Sequence, residues 1–357
     1  MTTTTIDMER VVAFAQQVGA MLTGGATAAM MVVGDRLGLY AALADGAPAT
    51  PGQLAGATGT SERYVREWLA QQAAVGFVRF DPESGTFRLP SEHAAVLASD
   101  ESPASMIGAA PLISGLHRRT DELLDAFRTG EGIPWSAQDP ATFESVERFF
   151  GVGYRTNLVP EWIPALSGVH EKLTAGARVV DVGCGRGVPV ILMAAAYPAS
   201  EFVGYDVHPA SVETARRRAA DAGVSERVRF EIGHCHGYRD QDVDVITFFD
   251  AFHDLGDPVG AGLHARQALA EDGTLVLVEP MAGDDLATTL ATAPMAAINF
   301  AASTFLCTPN SLSQPVGLAL GSQAGEARLR KVLEEAGYQG IRKASTSDFH
   351  MVIEAKP

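Results

Sequence analysis

Cysteine is scarce in this chain. Three residues in 357, Cys184, Cys235 and Cys307, lie far apart and form no Cys-x-x-Cys pair. An odd, dispersed set argues against a disulfide framework and fits the reducing cytoplasm. Basic residues are also few: 27 Lys and Arg stand against 43 Asp and Glu, a net charge of −16. Phosphate backbones and anionic membrane surfaces are held by clustered Lys and Arg, so this balance argues against nucleic acid and membrane as main partners. The most apolar long stretch, Leu286–Leu306, contains Pro294, Asn299 and several Ser and Thr, and falls short of a membrane span. The N-terminus lacks the basic region and apolar core of a signal peptide. No internal repeat occurs, and Thr2–Thr5 is the one low-complexity block. What remains is an ordinary globular mixture, 46% hydrophobic and 20% charged, long enough for two domains.

The first hundred residues read as helices followed by a hairpin. Val11, Val12, Phe14, Val18, Met21 and Leu22 recur at helical spacing, and a second apolar helix is expected over about Ala26 to Tyr40, ending near Gly38. Thr50-Pro51 starts a short helix, with Thr as cap and Pro at the first position. Gly56–Gly59 reads as a turn. Ser61 caps a longer helix, Glu62 to Val75, closed by Gly76. Two short strands, 77–80 and 86–89, flank the turn Asp81–Gly85. Helix, turn, helix and hairpin make a winged-helix domain over residues 1–100. Such a module binds DNA or serves as a dimerisation domain. The recognition helix offers Arg63 and Arg66 but also Glu62 and Glu67, which with the acidic total favours dimerisation.

Residues 101–172 form a helical connector and substrate cap, punctuated by Pro103, Pro111, Pro134, Pro140, Pro160 and Pro164. Its aromatics, among them Trp135, Phe143, Tyr154 and Trp162, either line an apolar pocket or pack between domains. From residue 173 short apolar runs alternate with helices: strands at 177–182, 201–206, 228–232, 243–249 and 274–279, helices near 188–197, 210–222 and 259–270. That alternation builds an α/β domain, a doubly wound, mostly parallel sheet. Strands at 339–346 and 349–355, joined by Ser347-Asp348, permit only an antiparallel pair, giving seven strands over 173–357.

The strongest motif is Val179-Val180-Asp181-Val182-Gly183-Cys184-Gly185-Arg186-Gly187, an apolar strand ending in an acid and then a Gly-x-Gly-x-Gly loop that opens a helix. The glycines allow a tight turn and close approach of a ligand to the backbone. Nineteen residues past Gly187 the next strand ends in Asp206, where a carboxylate can accept from both ribose hydroxyls. Dinucleotide sites require Gly-x-Gly-x-x-Gly. Here the spacing differs, and Asp181 would repel a pyrophosphate but suits a cation. In this the chain resembles the class I S-adenosylmethionine-dependent methyltransferases. The resemblance covers about Ala177–Pro357 and implies that Asp181, Gly183, Gly185 and Gly187 hold the amino acid part of S-adenosylmethionine while Asp206 holds its ribose. After the third strand the family often has Gly-Asp-Ala, with the Asp near adenine; here Gly233-His234-Cys235 stands instead, leaving a backbone group or the His234 ring for that contact. His234 and His236 would share a face of an extended stretch, as metal ligands do, or are two loop histidines beside the cofactor.

Phe248–Pro258 follows the fourth strand of this domain, at the end where parallel sheets place ligands. Asp250 is expected near the methionine moiety. His253-Asp254 looks like the His-Asp pair of two-domain O-methyltransferases that carry a winged-helix dimerisation domain, which extends the resemblance over most of the chain. It implies a homodimer through the N-terminal domain, a small-molecule methyl acceptor and a general base at His253. It looks nearest to a poorly characterised bacterial branch, marked further by Val278-Glu279-Pro280, Cys307-Thr308-Pro309-Asn310 and Gln323-Ala324-Gly325-Glu326. The sulfonium already activates the methyl, so the protein must hold the acceptor in line and take its proton. Histidine, with an ordinary pKa of about 6.5, is a neutral base at cellular pH. Glu279 is expected to orient it. The alternative for His253 is a capping or structural role, and Asp254 reads as a helix cap. His350, Cys307 and Arg155 are weaker candidates for the acceptor pocket; an edge histidine and a small buried cysteine have ordinary structural explanations. No metal is expected. Two rival functions are metal-assisted C-methylation of a 2-oxo acid, with His253 joined by His234, His236 or His350, and a non-catalytic S-adenosylmethionine sensor that binds DNA.

Overall fold

The computed structural model describes residues 6–357, so Thr2–Thr5 lies outside the described residues. The chain divides into two compact units, one of residues up to His117 with Glu144–Val152, the other of Arg118–Phe143 with Gly153–Pro357. The connector drawn at 101–172 is thereby divided between both.

The first unit opens with α1 (Met8–Arg36), whose cap Asp7 accepts from the backbone N–H groups of Glu9 and Arg10. The sequence reading expected two helices here, yet α1 runs unbroken through Gly24 and Gly25. A glycine inside a helix costs about 1 kcal/mol against alanine but removes no hydrogen bond, so it weakens a helix without ending it. The break comes at Gly38, in the left-handed region at φ 67°, before α2 (Leu39–Ala42). α3 (Pro51–Thr58) begins with a full capping box: Gln53 N–H donates to Thr50 Oγ1 and Thr50 N–H to Gln53 Oε1. α4 (Glu62–Ala74) follows, and Ser61 precedes it without making a side-chain cap bond. β1 (Arg79–Asp81) and β2 (Thr86–Arg88) pair antiparallel as the wing.

Tyr40, Trp68, Leu43, Leu54, Leu69 and Leu89 form the core of this unit. Its polar tips are satisfied, Trp68 Nε1 donating to Met30 O at 2.9 Å and Tyr40 OH to Gln72 Oε1 at 2.5 Å. Gly34 lets these rings reach α1, since a Cβ there would lie 2.5 Å from Trp68 and 2.6 Å from Tyr40. The Arg148 guanidinium binds Asp35 and Asp100 at 2.7 Å each. On α4, Arg63 pairs with Glu67 and Arg66 with Glu62, so each arginine of the recognition helix is engaged one turn away. α1 itself leaves Met8, Val11, Val12, Phe14, Val18, Met21 and Leu22 exposed. By length and composition it is long and apolar enough to cross a membrane, which makes it, rather than Leu286–Leu306, the segment that passes that test.

The second unit is built on a seven-stranded sheet of β3 (Arg178–Val182), β4 (Glu201–Asp206), β5 (Val228–Ile232), β6 (Val243–Phe249), β7 (Leu269–Pro280), β8 (Arg342–Thr346) and β9 (His350–Ala355), in the order 5-4-3-6-7-9-8. Neighbours from β5 to β7 are parallel, and β9 runs antiparallel to both β7 and β8. The doubly wound expectation holds; β7 starts five residues earlier than the sequence reading placed it. Val180, Val182, Ile246, Phe248, Leu275 and Leu277 are buried in one cluster, as expected where helices cover both sheet faces. Strand order reverses between β3 and β6, which opens a crevice at their C-terminal ends. Residues 118–143 pack beside the segment 305–314: Ile133 N–H donates to Pro309 O at 2.9 Å and Trp135 N–H to Asn310 Oδ1 at 3.0 Å.

Candidate active site

The loop after β3 is shaped by its glycines. Gly183, Gly185 and Gly187 all have positive φ, at 77°, 52° and 84°. A Cβ on Gly183 would fall 2.6 Å from Ala251, and one on Gly187 2.6 Å from the Phe230 ring, so both positions exclude a side chain. Above Gly185 there is open space within 4 Å. Gly187 is the residue from which the helix Val188–Ala196 starts.

Two acids flank this loop. Asp206 ends β4 and accepts from the backbone N–H groups of Gly185, at 2.9 Å, and His208, at 2.8 Å. Burial raises its pKa against those bonds. Asp181 is 1% exposed; Thr247 Oγ1 donates to its Oδ1 at 2.7 Å, while Oδ2 is buried without a hydrogen-bond partner. Burial pushes this carboxyl up to about 7, with Asp206 adding to the rise and Thr247 opposing it. A buried acid with an unmatched oxygen fits a cationic ligand, which favours the ionised form. From the connector, Phe143 stacks on His208 at 4.3 Å between ring centroids, with Trp135 edge-on to Phe143 at 5.3 Å. Two of the connector aromatics thus stand beside the end of β4.

Asp250 follows β6 with φ 49°, a left-handed conformation that is strained for a non-glycine residue. Its Oδ2 accepts from Tyr154 OH and faces His350 Nε2 at 3.0 Å, while Oδ1 is buried without a partner. Trp162 packs edge-on against both Tyr154 and His350. Gly153 makes room for the imidazole, since a Cβ there would lie 3.3 Å from it. His350, read from the sequence as a lone edge histidine, is therefore one member of a buried Tyr-Asp-His group.

His253 sits in a single 3₁₀ turn, Phe252–Asp254, and is 4% exposed. Its Nδ1 binds Glu279 Oε2, and Glu279 Oε1 accepts from Phe252 N–H at 3.0 Å. Its Nε2 lies 3.2 Å from Asp254 Oδ1. Burial by itself lowers the imidazole pKa, but Glu279 and Asp254 outweigh it and raise it well above the ordinary value. The two carboxylates thus favour the protonated ring, against the burial that favours the neutral one. Asp254, read as a cap, is instead an ion-pair partner, and Cys307 joins the two: donor atoms of His253, Asp254 and Cys307 lie within 4.8 Å of one another.

Asp181, the glycine loop and Asp206 thus form one group in the crevice, and Asp250, His253 and Glu279 lie at the ends of the neighbouring strands. His234 and Cys235 divide. His234 is exposed, whereas the Cys235 side chain turns into the hydrophobic core and offers only its main chain to a ligand. The segment is a turn, with Gly237 N–H donating to His234 O, so His234 and His236 do not share an extended face. His236 instead faces Asp257 at 3.8 Å. Among the described residues neither gathers with His253 or His350 as metal donors. Sequence reasoning missed Thr247 and the role of Tyr154. Thr247 carries a signal, a polar residue in the apolar run Val243–Phe249; Tyr154 carries none, because its partner is 96 residues away.

Residues 173–337 match a family described as a methyltransferase domain, and residues 25–99 match the Rv2258c-like winged HTH domain. The 27-O-demethylrifamycin SV methyltransferase of Amycolatopsis mediterranei (strain S699) is 35% identical over 107 residues, covering 29% of this chain and 39% of that protein. The chain spans less than half the length of the curated relatives it matches. Among solved structures, the mitomycin 7-O-methyltransferase MmcR superposes with a TM-score of 0.72 at 21% identity, over 98% of this chain and 100% of that one. Human N-acetylserotonin methyltransferase, solved in complex with SAM, gives 0.68 at 16% identity, over 100% and 99%. The chain carries a methyltransferase domain behind a winged helix-turn-helix domain, and it has the fold of the small-molecule O-methyltransferases.

Proposed function

We propose that this protein is an S-adenosylmethionine-dependent methyltransferase acting on a hydroxyl of a small molecule. The observation that carries the reading is the glycine loop between Asp181, with its unmatched buried oxygen, and Asp206. Asp181, Gly183, Gly185 and Gly187 would hold the amino acid part of S-adenosylmethionine, Asp206 the ribose, and Asp250 the neighbourhood of the methionine. His234 and the main chain of Cys235 are left for adenine. When bound, S-adenosylmethionine supplies a methyl group made electrophilic by the sulfonium.

His253 is the proposed base. Glu279 fixes Nδ1, so the acceptor proton would go to Nε2, which faces Asp254 at 3.2 Å before the acceptor binds; a positioned imidazole contributes about 10²–10⁴-fold in this role. Glu279 and Asp254 raise its pKa above the ordinary value, so turnover should rise with pH through a pKa above 6.5 as the ring loses its proton. The reading is tested by following labelled methyl from S-adenosylmethionine to a panel of phenols and hydroxylated aromatics with chelated protein. Labelled ether product is expected; label on carbon or nitrogen only would contradict it.

Asp181 gives cofactor binding a pH dependence of its own. Below a pH of about 7 the free site carries a proton on this buried carboxyl, and a cationic ligand must displace it. Affinity for S-adenosylmethionine should therefore fall by up to about tenfold per pH unit below 7. Calorimetry at pH 5.5 and 7.5 checks this, and Asp181→Asn should flatten the dependence.

We also propose a homodimer in the cytoplasm, formed through the N-terminal unit. The apolar face of α1 supports this, with Met21 and Leu22 about 70% exposed. Sedimentation should find a dimer in the wild type and a monomer after Leu22→Glu; a monomeric wild type would contradict the assembly.

A further inference from the structure

The group formed by His253, Asp254 and Cys307 has the composition of a metal site. Its donor atoms, an imidazole nitrogen, a carboxylate oxygen and a thiol sulfur, lie within 4.8 Å of one another. His253 and Cys307 are 4% and 7% exposed. Asp254 Oδ1 is buried and accepts no hydrogen bond, so its 3.2 Å approach to His253 Nε2 is an ion-pair contact only. A buried carboxylate oxygen that accepts no hydrogen bond is open to a metal cation. The opposite ring nitrogen, Nδ1, is held by Glu279, whose second oxygen is fixed by Phe252 N–H. A carboxylate on the far nitrogen is what orients a metal-ligating histidine and raises its basicity. Cys307 ends a π-helical turn, Ser303–Cys307, an irregularity that recurs at functional sites.

We propose that His253 Nε2, Asp254 and Cys307 bind a thiophilic divalent cation of the Zn²⁺ class, with a fourth position open. One sulfur, one nitrogen and one oxygen donor are ligands zinc accepts, at distances of about 2.0–2.3 Å. Binding releases the Cys307 thiol proton and the Nε2 proton to solvent and forms three coordination bonds. Thiolate and carboxylate together balance the charge of the cation. The cation takes the nitrogen that the proposed base needs, so metal and acceptor proton compete for one atom. Binding itself does not depend on the methyltransferase reading.

Cobalt(II) titrated into the chelated full-length chain tests the site, because a cobalt–thiolate bond absorbs in the near ultraviolet. One equivalent per chain with that absorption is expected. Cys307→Ser and His253→Gln should each remove the band. Cys235→Ser should keep it; Cys235 is the informative control because its sulfur lies 3.4 Å from His236 Nδ1. Absence of the band in the wild type, its survival in Cys307→Ser, or its loss in Cys235→Ser would overturn the assignment.

Discussion

His253→Ala is expected to lower kcat about 10²–10⁴-fold while leaving the affinity for S-adenosylmethionine within a few-fold of wild type. The two readouts separate because His253 belongs to the cluster with Glu279, Asp254 and Cys307, whereas the proposed cofactor contacts lie on the β3 loop and at Asp206. Loss of the imidazole leaves two buried carboxyls without the ring they face. Burial already raises the pKa of both Glu279 and Asp254, so they take up protons in its place. Glu279→Gln isolates the electrostatic part. Removing the carboxylate on Nδ1 lowers the histidine pKa, so the acid limb of the pH–rate profile should move to lower pH even as the maximum falls. A limb that stays in place would mean that another group sets it. Little loss of turnover in His253→Ala would end the base assignment.

A large effect on stability is expected at Gly187. Gly187→Ala places a Cβ 2.6 Å from the Phe230 ring and 2.9 Å from Ala215, at a φ of 84° that alanine adopts only with strain. Left-handed strain of about 1–2 kcal/mol and overpacking of about 1–3 kcal/mol add because they act on different atoms. The melting temperature should fall by about 5–15 °C for a unit of this size. Cofactor binding should weaken with it, because the loop and the start of the helix Val188–Ala196 move together. Gly185→Ala is the contrast. It meets nothing within 4 Å, so at φ 52° it carries the left-handed strain without the overpacking, and its melting temperature should fall less than that of Gly187→Ala.

Much of the second unit was legible because its signals are local. β3, β4 and β6 are short, largely apolar runs, β5 alternates apolar and charged residues, and β3 and β4 close on a glycine loop or an acid, features carried by adjacent residues. The C-terminal pair was legible because two residues cannot bridge parallel strands. α1 was read as two helices, the second from about Ala26, where the chain forms one helix from Met8 to Arg36. The partnerships of the site were largely illegible. Glu279 and His253 are 26 residues apart, Tyr154 and Asp250 are 96, and neither spacing has a period to betray it. The raised pKa of His253 was illegible for the same reason, since it depends on two carboxylates facing opposite nitrogens of one ring. Cys307 was a weaker pocket candidate, with a small buried residue as its ordinary explanation, and its place beside His253 and Asp254 emerged only in the fold.

The central claim, that the β3 loop and Asp206 hold S-adenosylmethionine, is tested most directly by calorimetric titration of that compound into chelated wild-type protein and into Asp206→Ala. Saturable binding at one site per chain is expected for the wild type, weakened beyond detection in the variant. No binding by a folded wild-type chain, or equal binding by both, would contradict the account.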